Sequence, residues 1–120
     1  MAITLNPYLG FHDQAREALT FYASVLGGTP VLTTFAEGGM PHDPAQADAI
    51  MHGPLEIPGG LTIMASDTPQ GMEVPTGSSV SISLSGGPED AGTLRRWYAE
   101  LSEGGTRTLP LETAPWGDEF

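Results

Sequence analysis

The sequence predicts an α+β fold made of two similar halves, and three observations support this prediction. Residues 11–28 carry apolar side chains at a spacing of three and four, which is typical of a helix with one buried stripe. Segments with strand character precede and follow this helix. A second strand–helix–strand pattern occurs near the C-terminus, and a unit that occurs twice in one short chain favours an internal duplication.

The first half begins with a predicted strand over residues 3–11, followed by the helix. Pro7 in this strand indicates a sheet edge, a bulge or a point where the strand opens toward a cavity, because proline cannot donate a hydrogen bond to a neighbouring strand. We expect Asp13 to accept hydrogen bonds from the free amides of the first helical turn. Gly27 and Gly28 predict the end of the helix, because glycine readily adopts the left-handed conformation found there.

Three further strands and two loops complete the first half. Residues 31–35 predict the strand that returns to the sheet, and residues 49–57 and 61–66 predict a β-hairpin around Pro58-Gly59-Gly60. Residues 36–48 are rich in glycine, proline and acids, which predicts a mobile loop and the natural lid of any site. Residues 67–78 predict a polar loop that leads from the first half to the second. The elements of the first half together give the pattern βαβββ.

The second half repeats this pattern only in part. Residues 78–86 indicate a strand, 88–103 a helix and 104–111 another strand. The corresponding landmarks, at offsets of 76 and 77 residues, are Phe21-Tyr22 with Trp97-Tyr98 and Gly27-Gly28-Thr29 with Gly104-Gly105-Thr106. Two strands are missing after residue 111, so we expect a longer natural chain, a partner that covers the gap, or a second half that evolved short. We predict one domain, with module one over about residues 1–77 and an incomplete module two over about 78–120.

Composition limits the classes of partner and compartment. Fifteen acids stand against four basic residues, for a formal charge of -11, which disfavours nucleic acid and membrane surfaces as partners. The chain has no cysteine, so a disulfide framework, a thiolate metal site and a cysteine nucleophile are excluded. No signal peptide or long apolar run is found. We therefore expect a cytoplasmic protein.

Six segments, taken in order, carry a family resemblance. They are NPYLGF, FYASVLGG, IMHGPLEI, LTIMASD, ELSEGGTRTLPL and APWGDEF. Their order and spacing resemble the PhnB-like branch of the vicinal oxygen chelate superfamily, which includes glyoxalase, extradiol dioxygenases, and the fosfomycin and bleomycin resistance proteins. The resemblance implies paired βαβββ modules that form an open, cupped barrel, commonly as a homodimer, with a small-molecule cavity inside the cup. Members typically continue past this point with a further strand pair.

The resemblance also bears on metal binding. Metal-dependent members take His, Glu or Gln ligands from the first and last strands of each module. The matching stretches here are Asn6-Pro7-Tyr8, residues 63–66 and residues 81–83, and Pro7 stands at the expected ligand position. None of these stretches supplies such a ligand, so we predict no metal and no cofactor. Some PhnB-like proteins are described as demethylubiquinone methyltransferases, but the chain lacks the Gly-rich loop and the doubly wound sheet of that chemistry.

Three histidines, His12, His42 and His52, have no metal-ligand spacing. On strand alternation His52 and Glu56 share one face, so both can point into the cup. An imidazole near a carboxylate is suited to general acid or base catalysis near pH 7. The alternative is a half-buried histidine that is hydrogen-bonded to a neighbouring strand.

Further candidates for ligand contact are aromatic, sulfur-containing or acidic. Tyr8, Phe11 and Met64 suit the wall of an apolar pocket, although core packing is the alternative for each. Asp67 is either a ligand contact at the rim of the cup or a turn residue bonded to its own backbone. Trp116 is either a wall of the cup or a dimer contact.

We predict a metal-free, dimeric protein that binds a small, partly apolar molecule in the cup. The acidic surface suits a cationic ligand. One alternative is an enzyme of the same superfamily, with lyase, isomerase or transferase chemistry, that uses His52 and Glu56 or an unrecognised divalent metal site. Another is a scaffold whose cup is filled by its own side chains.

Overall fold

The structure is a computed structural model that describes residues 3–73, 77 and 79–120. The chain forms two compact units, Met1–Leu84 and Ser85–Phe120. Unit 1 extends past the predicted module boundary at residue 77, and unit 2 is correspondingly shorter. In the described part of the chain, no helix is both long and apolar enough to cross a bilayer.

Unit 1 has the predicted βαβββ pattern. Its main elements are β1 (Tyr8–Phe11), α1 (Ala15–Leu26), β2 (Thr33–Thr34), β3 (Ile50–Ile57) and β4 (Leu61–Asp67), with a short helix α2 (Phe35–Gly38) after β2. The strand order is β1-β4-β3-β2, with β1 parallel to β4 and the other pairs antiparallel. The fold is therefore α+β with a four-stranded, mixed, open sheet, which confirms the predicted fold class.

Strand β1 lies at one edge of the sheet, as Pro7 predicted, but it is shorter than expected. It begins at Tyr8, directly after the proline. The carbonyl of Pro7 still accepts a hydrogen bond of 3.0 Å from the amide of Met64. A proline has no amide hydrogen, so the first position of a strand is one of the places that tolerate it.

Helix α1 ends as predicted but begins differently. Gly27 and Gly28 follow its last residue with φ angles of 94° and 87°. Asp13, however, does not cap the helix: the cap residue is Gln14, and no side chain of its own segment caps the first turn. Asp13 instead adopts a left-handed φ of 59°, so the free amides of α1 need an acceptor from elsewhere.

The core of unit 1 lies between α1 and the sheet. Helix α1 packs across β3 and β4. The buried apolar side chains at this contact are Ala15, Leu19 and Leu26 of α1 and Leu55, Ile57 and Ala65 of the sheet. Burial of each large aliphatic side chain contributes roughly 1.5–3 kcal/mol, so this face supplies most of the apolar stabilisation of the unit.

The predicted mobile lid over residues 36–48 contains two short helical turns. Helix α2 is held by a capping box, in which the Thr34 hydroxyl accepts from the Glu37 amide and the Glu37 carboxylate accepts from the Thr34 amide, both at 3.1 Å. A 3₁₀ turn, Pro44–Gln46, follows, and the Asp43 side chain caps it. Capping side chains satisfied the backbone where the loop composition had suggested mobility.

The side chain of Gln46 connects residues 36–48 to other parts of unit 1 through hydrogen bonds. Its side chain is 7% exposed. The amide nitrogen donates to the Asp13 carboxylate (3.3 Å) and to the Thr68 carbonyl (3.2 Å), and the amide oxygen accepts from the Gln70 backbone N–H (2.7 Å). One buried amide thus joins three separate stretches of chain, which argues against a freely opening lid.

The second half of the sequence contains the predicted helix but not the predicted strands. Helix α3 spans Ala91–Leu101. Residues 79–87 and 104–111 form no strand, and Ser78 lies outside the described residues. The apolar positions of the first segment, Val80, Ile82 and Leu84, are 76%, 53% and 40% exposed. Strand preference depends on packing against neighbouring strands, and the apolar side chains of this segment stay at least 40% exposed.

A small hairpin at the C-terminus was not predicted. Residues 112–120 turn back on themselves: Glu112 and Phe120 exchange two backbone hydrogen bonds, and Thr113 pairs with Glu119. The Gly117 amide closes the turn on the Ala114 carbonyl, and Gly117 has a φ of 101°, as a three-residue hairpin loop requires. Within unit 2, Arg95 of α3 forms a 2.7 Å salt bridge with Glu119 of this hairpin.

Candidate functional site

The two faces of the sheet in unit 1 are chemically different. A side chain at Gly53 would meet Leu19 of α1 at 2.7 Å, so residue 53 of β3 points toward the helix. Alternation places the neighbouring residues of β3 on the opposite side, together with their register partners on β4 and β1. We call this side, opposite α1, the open face; the residues used below are Tyr8, His52, Pro54, Glu56, Thr62 and Met64.

A row of apolar side chains crosses the centre of the open face. Met64 of β4 is the register partner of Tyr8 on β1 and of Pro54 on β3. Met64 and Pro54 are half-buried, and Tyr8 is 50% exposed. Directly paired residues on neighbouring strands bring their side chains about 5 Å apart, so the three form a continuous, partly exposed apolar surface.

His52 contributes the polar group beside this row. Its Nδ1 lies 2.6 Å from the Tyr8 hydroxyl oxygen, a hydrogen bond between residues 44 positions apart. The two rings are 5.5 Å apart between centroids and tilted by 36°. Strand pairing of β1 and β3 with β4 brings the two side chains together, so the sheet fixes the orientation of the imidazole.

Glu56 shares the open face with His52, as predicted, but is not its partner. It pairs in register with Thr62 near the hairpin turn and is exposed. Within the described residues, no hydrogen bond or ion pair joins His52 to Glu56. Strand register thus brings Tyr8 rather than Glu56 into contact with His52. A catalytic role for His52 and Glu56 stays a prediction.

Phe11 lies on the other side of the sheet from Tyr8. It pairs with Asp67, whose carboxylate reaches the first residue of α1, so this end of β1 presents Phe11 to the helix side. Phe11 is half-buried there. Of the candidates for ligand contact on β1, only Tyr8 lies on the open face.

Asp67 has neither of the two roles considered for it. It is 3% exposed, so it does not lie at an exposed rim. One carboxylate oxygen accepts from the Ala15 amide at 2.9 Å and the other from the Ile50 amide at 2.8 Å. Asp67 thus caps α1 from the end of β4 and fixes the start of β3, which is the role expected of Asp13.

Trp116 belongs to unit 2 and lies in the turn of the C-terminal hairpin. It is 67% exposed, and its ring packs edge-on against Phe120 at 6.0 Å between centroids. This placement supports neither of its two predicted roles over the other, so both stay predictions. Phe120, which sequence reasoning left without a role, is its packing partner.

The other two histidines lie away from the Tyr8–His52 pair. His42 bonds the Met40 carbonyl at 2.8 Å and packs near Phe35, and His12 is exposed. Among residues 3–73, 77 and 79–120, no three His, Asp or Glu side chains are grouped closely enough to hold a metal ion.

Two groups among the described residues of unit 1 have perturbed acid–base equilibria, and both lie outside the open face. Burial raises the pKa of the Tyr22 hydroxyl on α1. Hydrogen bonds from the backbone and hydroxyl of Thr34 lower the pKa of the Glu37 carboxyl in the capping box. These shifts therefore report on packing and capping.

Comparison with solved structures gives the family. The crystal structure of protein PA1353 from Pseudomonas aeruginosa is 32% identical in sequence, with a TM-score of 0.80, and the match covers 96% of this chain and 84% of that one. A Bacillus cereus structure named "Putative 3-demethylubiquinone-9 3-methyltransferase, PhnB protein" is 18% identical, with a TM-score of 0.72 and coverage of 98% and 87%. The chain belongs to the same family as PA1353 and has a PhnB-like fold. No protein-family model and no curated protein matches it.

The hydrogen-bonded pair of this PhnB-like chain, Tyr8 and His52, lies on the open face. In sequence the two members lie on the first and third strands of module one. Residue type and strand alternation identified Tyr8 and His52 separately. Their direct contact depends on β1 pairing parallel with β4, and no signal in a single sequence reports that register.

Proposed function

We propose that this PhnB-like chain binds a small, partly apolar molecule on the open face. The observation that carries the proposal is the Tyr8–His52 hydrogen bond beside the half-buried surface of Met64 and Pro54. Ligand sites typically combine apolar walls with a few fixed polar groups, and the open face has both. The helix side of the sheet is already filled by the core.

Binding in this proposal needs no metal. The open face offers one imidazole and one carboxylate, His52 and Glu56, and the nearest polar partner of His52 is a tyrosine. A structural or catalytic zinc site usually needs three or four protein ligands, and tyrosine is an uncommon one. The proposal therefore assigns recognition to hydrogen bonding and apolar contact.

Methyl transfer is not part of the proposal. The name of the Bacillus cereus protein concerns that protein, and this chain shares only its fold. Strand β1 leads into α1 through residues 12–14, His-Asp-Gln, which contain no glycine. A cofactor-binding loop of the dinucleotide-binding or methyltransferase type needs glycines at this first strand-to-helix turn.

We also propose that the chain acts as a homodimer. The exposed apolar side chains of unit 1 include Val31 (66%) and Leu61 (41%), in addition to those of the open face. Apolar side chains that are partly exposed over one sheet face are typical of surfaces covered by a ligand or a partner. A second copy would leave the ligand surface enclosed on more than one side.

Native mass spectrometry tests these proposals together. The protein is isolated without denaturant and its spectrum reports subunit number, metal and any retained organic molecule. We expect a dimer that carries a small organic adduct and no stoichiometric metal. A divalent metal retained after dialysis would contradict the metal-free proposal, and a monomer would contradict the dimer.

Paired methionine variants locate the adduct. Met64→Arg places a charge on the open face, and we expect it to lose the adduct. Met72→Arg changes the same residue type at a position that is 61% exposed and outside the sheet, so it should retain the adduct. Loss of the adduct in both variants, or in neither variant, would contradict binding at the open face. Circular dichroism confirms that both variants fold.

A second candidate function is acid–base catalysis by His52. The Tyr8 hydrogen bond favours it, because an oriented imidazole with a fixed partner is suited to moving a proton. The molecule recovered from the native protein is incubated in excess with fresh protein and followed by mass spectrometry. Conversion that is lost in a folded His52→Gln variant supports an enzyme, and recovery of the unchanged molecule supports a binding protein.

A further inference from the structure

The Tyr8–His52 contact has a preferred direction, which follows from the chemistry of its two groups. The Tyr8 hydroxyl oxygen and His52 Nδ1 are 2.6 Å apart, which is a short hydrogen bond. A phenol is a better proton donor than a neutral imidazole N–H, and an imidazole nitrogen is a better acceptor than a phenol oxygen. This chemistry makes Tyr8 the donor.

A donor on Tyr8 fixes the tautomer of His52. If Nδ1 accepts the phenolic proton, the proton of the neutral ring is on Nε2. In the described residues, Tyr8 is the hydrogen-bond partner found for the His52 ring, so Nε2–H is left to serve a ligand. The apolar row of Met64 and Pro54 lies alongside, which favours a ligand with a hydrocarbon body.

We propose that Tyr8 acts as a positioning residue that holds His52 in the Nε2–H form, and that the ligand of the open face presents an oxygen acceptor, such as a carbonyl, to this N–H. The inference rests on the proposed binding function and narrows its ligand class. It differs from the expectation drawn from net charge, which favoured a cation. Net charge governs encounter at long range, whereas the group that touches His52 must complement a donor.

The tautomer is measured first, on the free protein. Long-range ¹H–¹⁵N correlation spectra, recorded at pH 8.5, above the ordinary titration range of histidine, distinguish Nε2–H from Nδ1–H rings. We expect His52 to be in the Nε2–H form in the wild type and in a mixture of forms in Tyr8→Phe. Tyr22→Phe removes a phenol on the helix side and should leave His52 unchanged. An Nδ1–H ring in the wild type would overturn the inference, whatever the protein binds.

The ligand class is measured second, with two probes of similar size. Acetophenone supplies a carbonyl acceptor and benzylammonium supplies a cation. We expect acetophenone to shift the His52 Nε2–H signal and to bind more tightly than benzylammonium. Loss of one hydrogen bond should weaken acetophenone roughly three- to tenfold in His52→Phe, and by a smaller factor in Tyr8→Phe.

The outcomes separate this inference from the function on which it rests. Tighter binding of benzylammonium at the open face would overturn the acceptor-bearing ligand class while supporting binding there. Failure of both probes to perturb the open face would count against the proposed function, and against the ligand class with it. Equal acetophenone affinity in the wild type, His52→Phe and Tyr8→Phe would overturn the role of the pair in recognition.

Discussion

At the scale of single residues, Asp67 shows how one carboxylate can organise a module. It ends β4, caps α1 and orients the first residue of β3, and each of these contacts uses a backbone amide. The sequence placed Asp67 correctly at the end of a strand. Its partners lie 52 and 17 residues away, so no local pattern predicts them. Because Asp67 caps α1, Asp13 is not needed as the cap. Asp13 adopts a left-handed φ and accepts a hydrogen bond from Gln46.

Replacement of Asp67 by asparagine should destabilise the protein by roughly 2–4 kcal/mol. Asparagine offers one oxygen and one NH₂ group, so one buried backbone amide would lose its acceptor and face a donor. Urea unfolding measures the change in the free energy of unfolding. Asp13→Asn is the matched control, because asparagine tolerates a left-handed φ and its oxygen can still accept from Gln46. Equal stability of the two variants would contradict the anchoring role.

At the scale of elements, the sequence predicted those helices and strands that hydrophobic periodicity and turn residues indicate. Helix α1 and the hairpin of β3 and β4 agree with expectation to within one or two residues at most boundaries. The 36–48 segment does not, because Thr34, Glu37 and Asp43 cap short helical turns inside a composition typical of loops. The strand expected over residues 78–86 is absent from its described part, since strand formation depends on a neighbour that a local pattern does not reveal.

The close approach of α1 to β3 predicts a severe cost for a side chain at Gly28. Its φ is 87°, and a Cβ would overlap the Glu56 carbonyl oxygen. We expect Gly28→Ala to lower the free energy of unfolding by roughly 2–4 kcal/mol, from backbone strain and steric overlap together. Gly59→Ala is the control, because Gly59 has a similar φ of 101° but nothing within 4 Å. Gly59→Ala therefore measures the effect of backbone strain alone. A loss of stability as large as that of Gly28→Ala would contradict the close approach as the cause.

The capping box of α2 predicts a pH-dependent contribution to stability. The pKa of Glu37 is lowered from its ordinary 4.5 by hydrogen bonds from Thr34. A lowered carboxyl pKa means that the contribution is present above pH 4.5 and is lost as the pH falls through the folded-state value. We expect the wild type to be more stable than Glu37→Gln at pH 7, with the difference disappearing towards pH 3.

Chemical unfolding at a series of pH values measures this difference. Glu103→Gln is the control, because it removes an exposed carboxylate that makes no side-chain hydrogen bond in the described part of the chain. Its stability relative to the wild type should not follow the profile of Glu37→Gln. A constant difference between the wild type and Glu37→Gln from pH 7 to pH 3 would contradict the assigned role of the ionised carboxylate.

At the scale of the whole molecule, the fold class and the family resemblance could be predicted from the sequence. The open face could be predicted only in part. The order of six segments, each unspecific by itself, indicated a PhnB-like fold, which the two structural comparisons bear out. Strand alternation identified His52 and Glu56 as sharing a face but not the Tyr8 contact. Helix α1 fills one side of the four-stranded sheet of unit 1, so we propose binding on the opposite side, the open face.

Methionine methyl groups report most directly on this assignment. Protein labelled with ¹³C at the methionine methyls is titrated with neutral, anionic and cationic aromatic fragments. Met64 lies on the open face, whereas Met51 packs against Gly38, and Met40 and Met72 are exposed elsewhere. The account predicts that binding fragments shift the Met64 signal and leave the Met51, Met40 and Met72 signals in place. Fragments that bind and shift those signals while Met64 stays unmoved would contradict it.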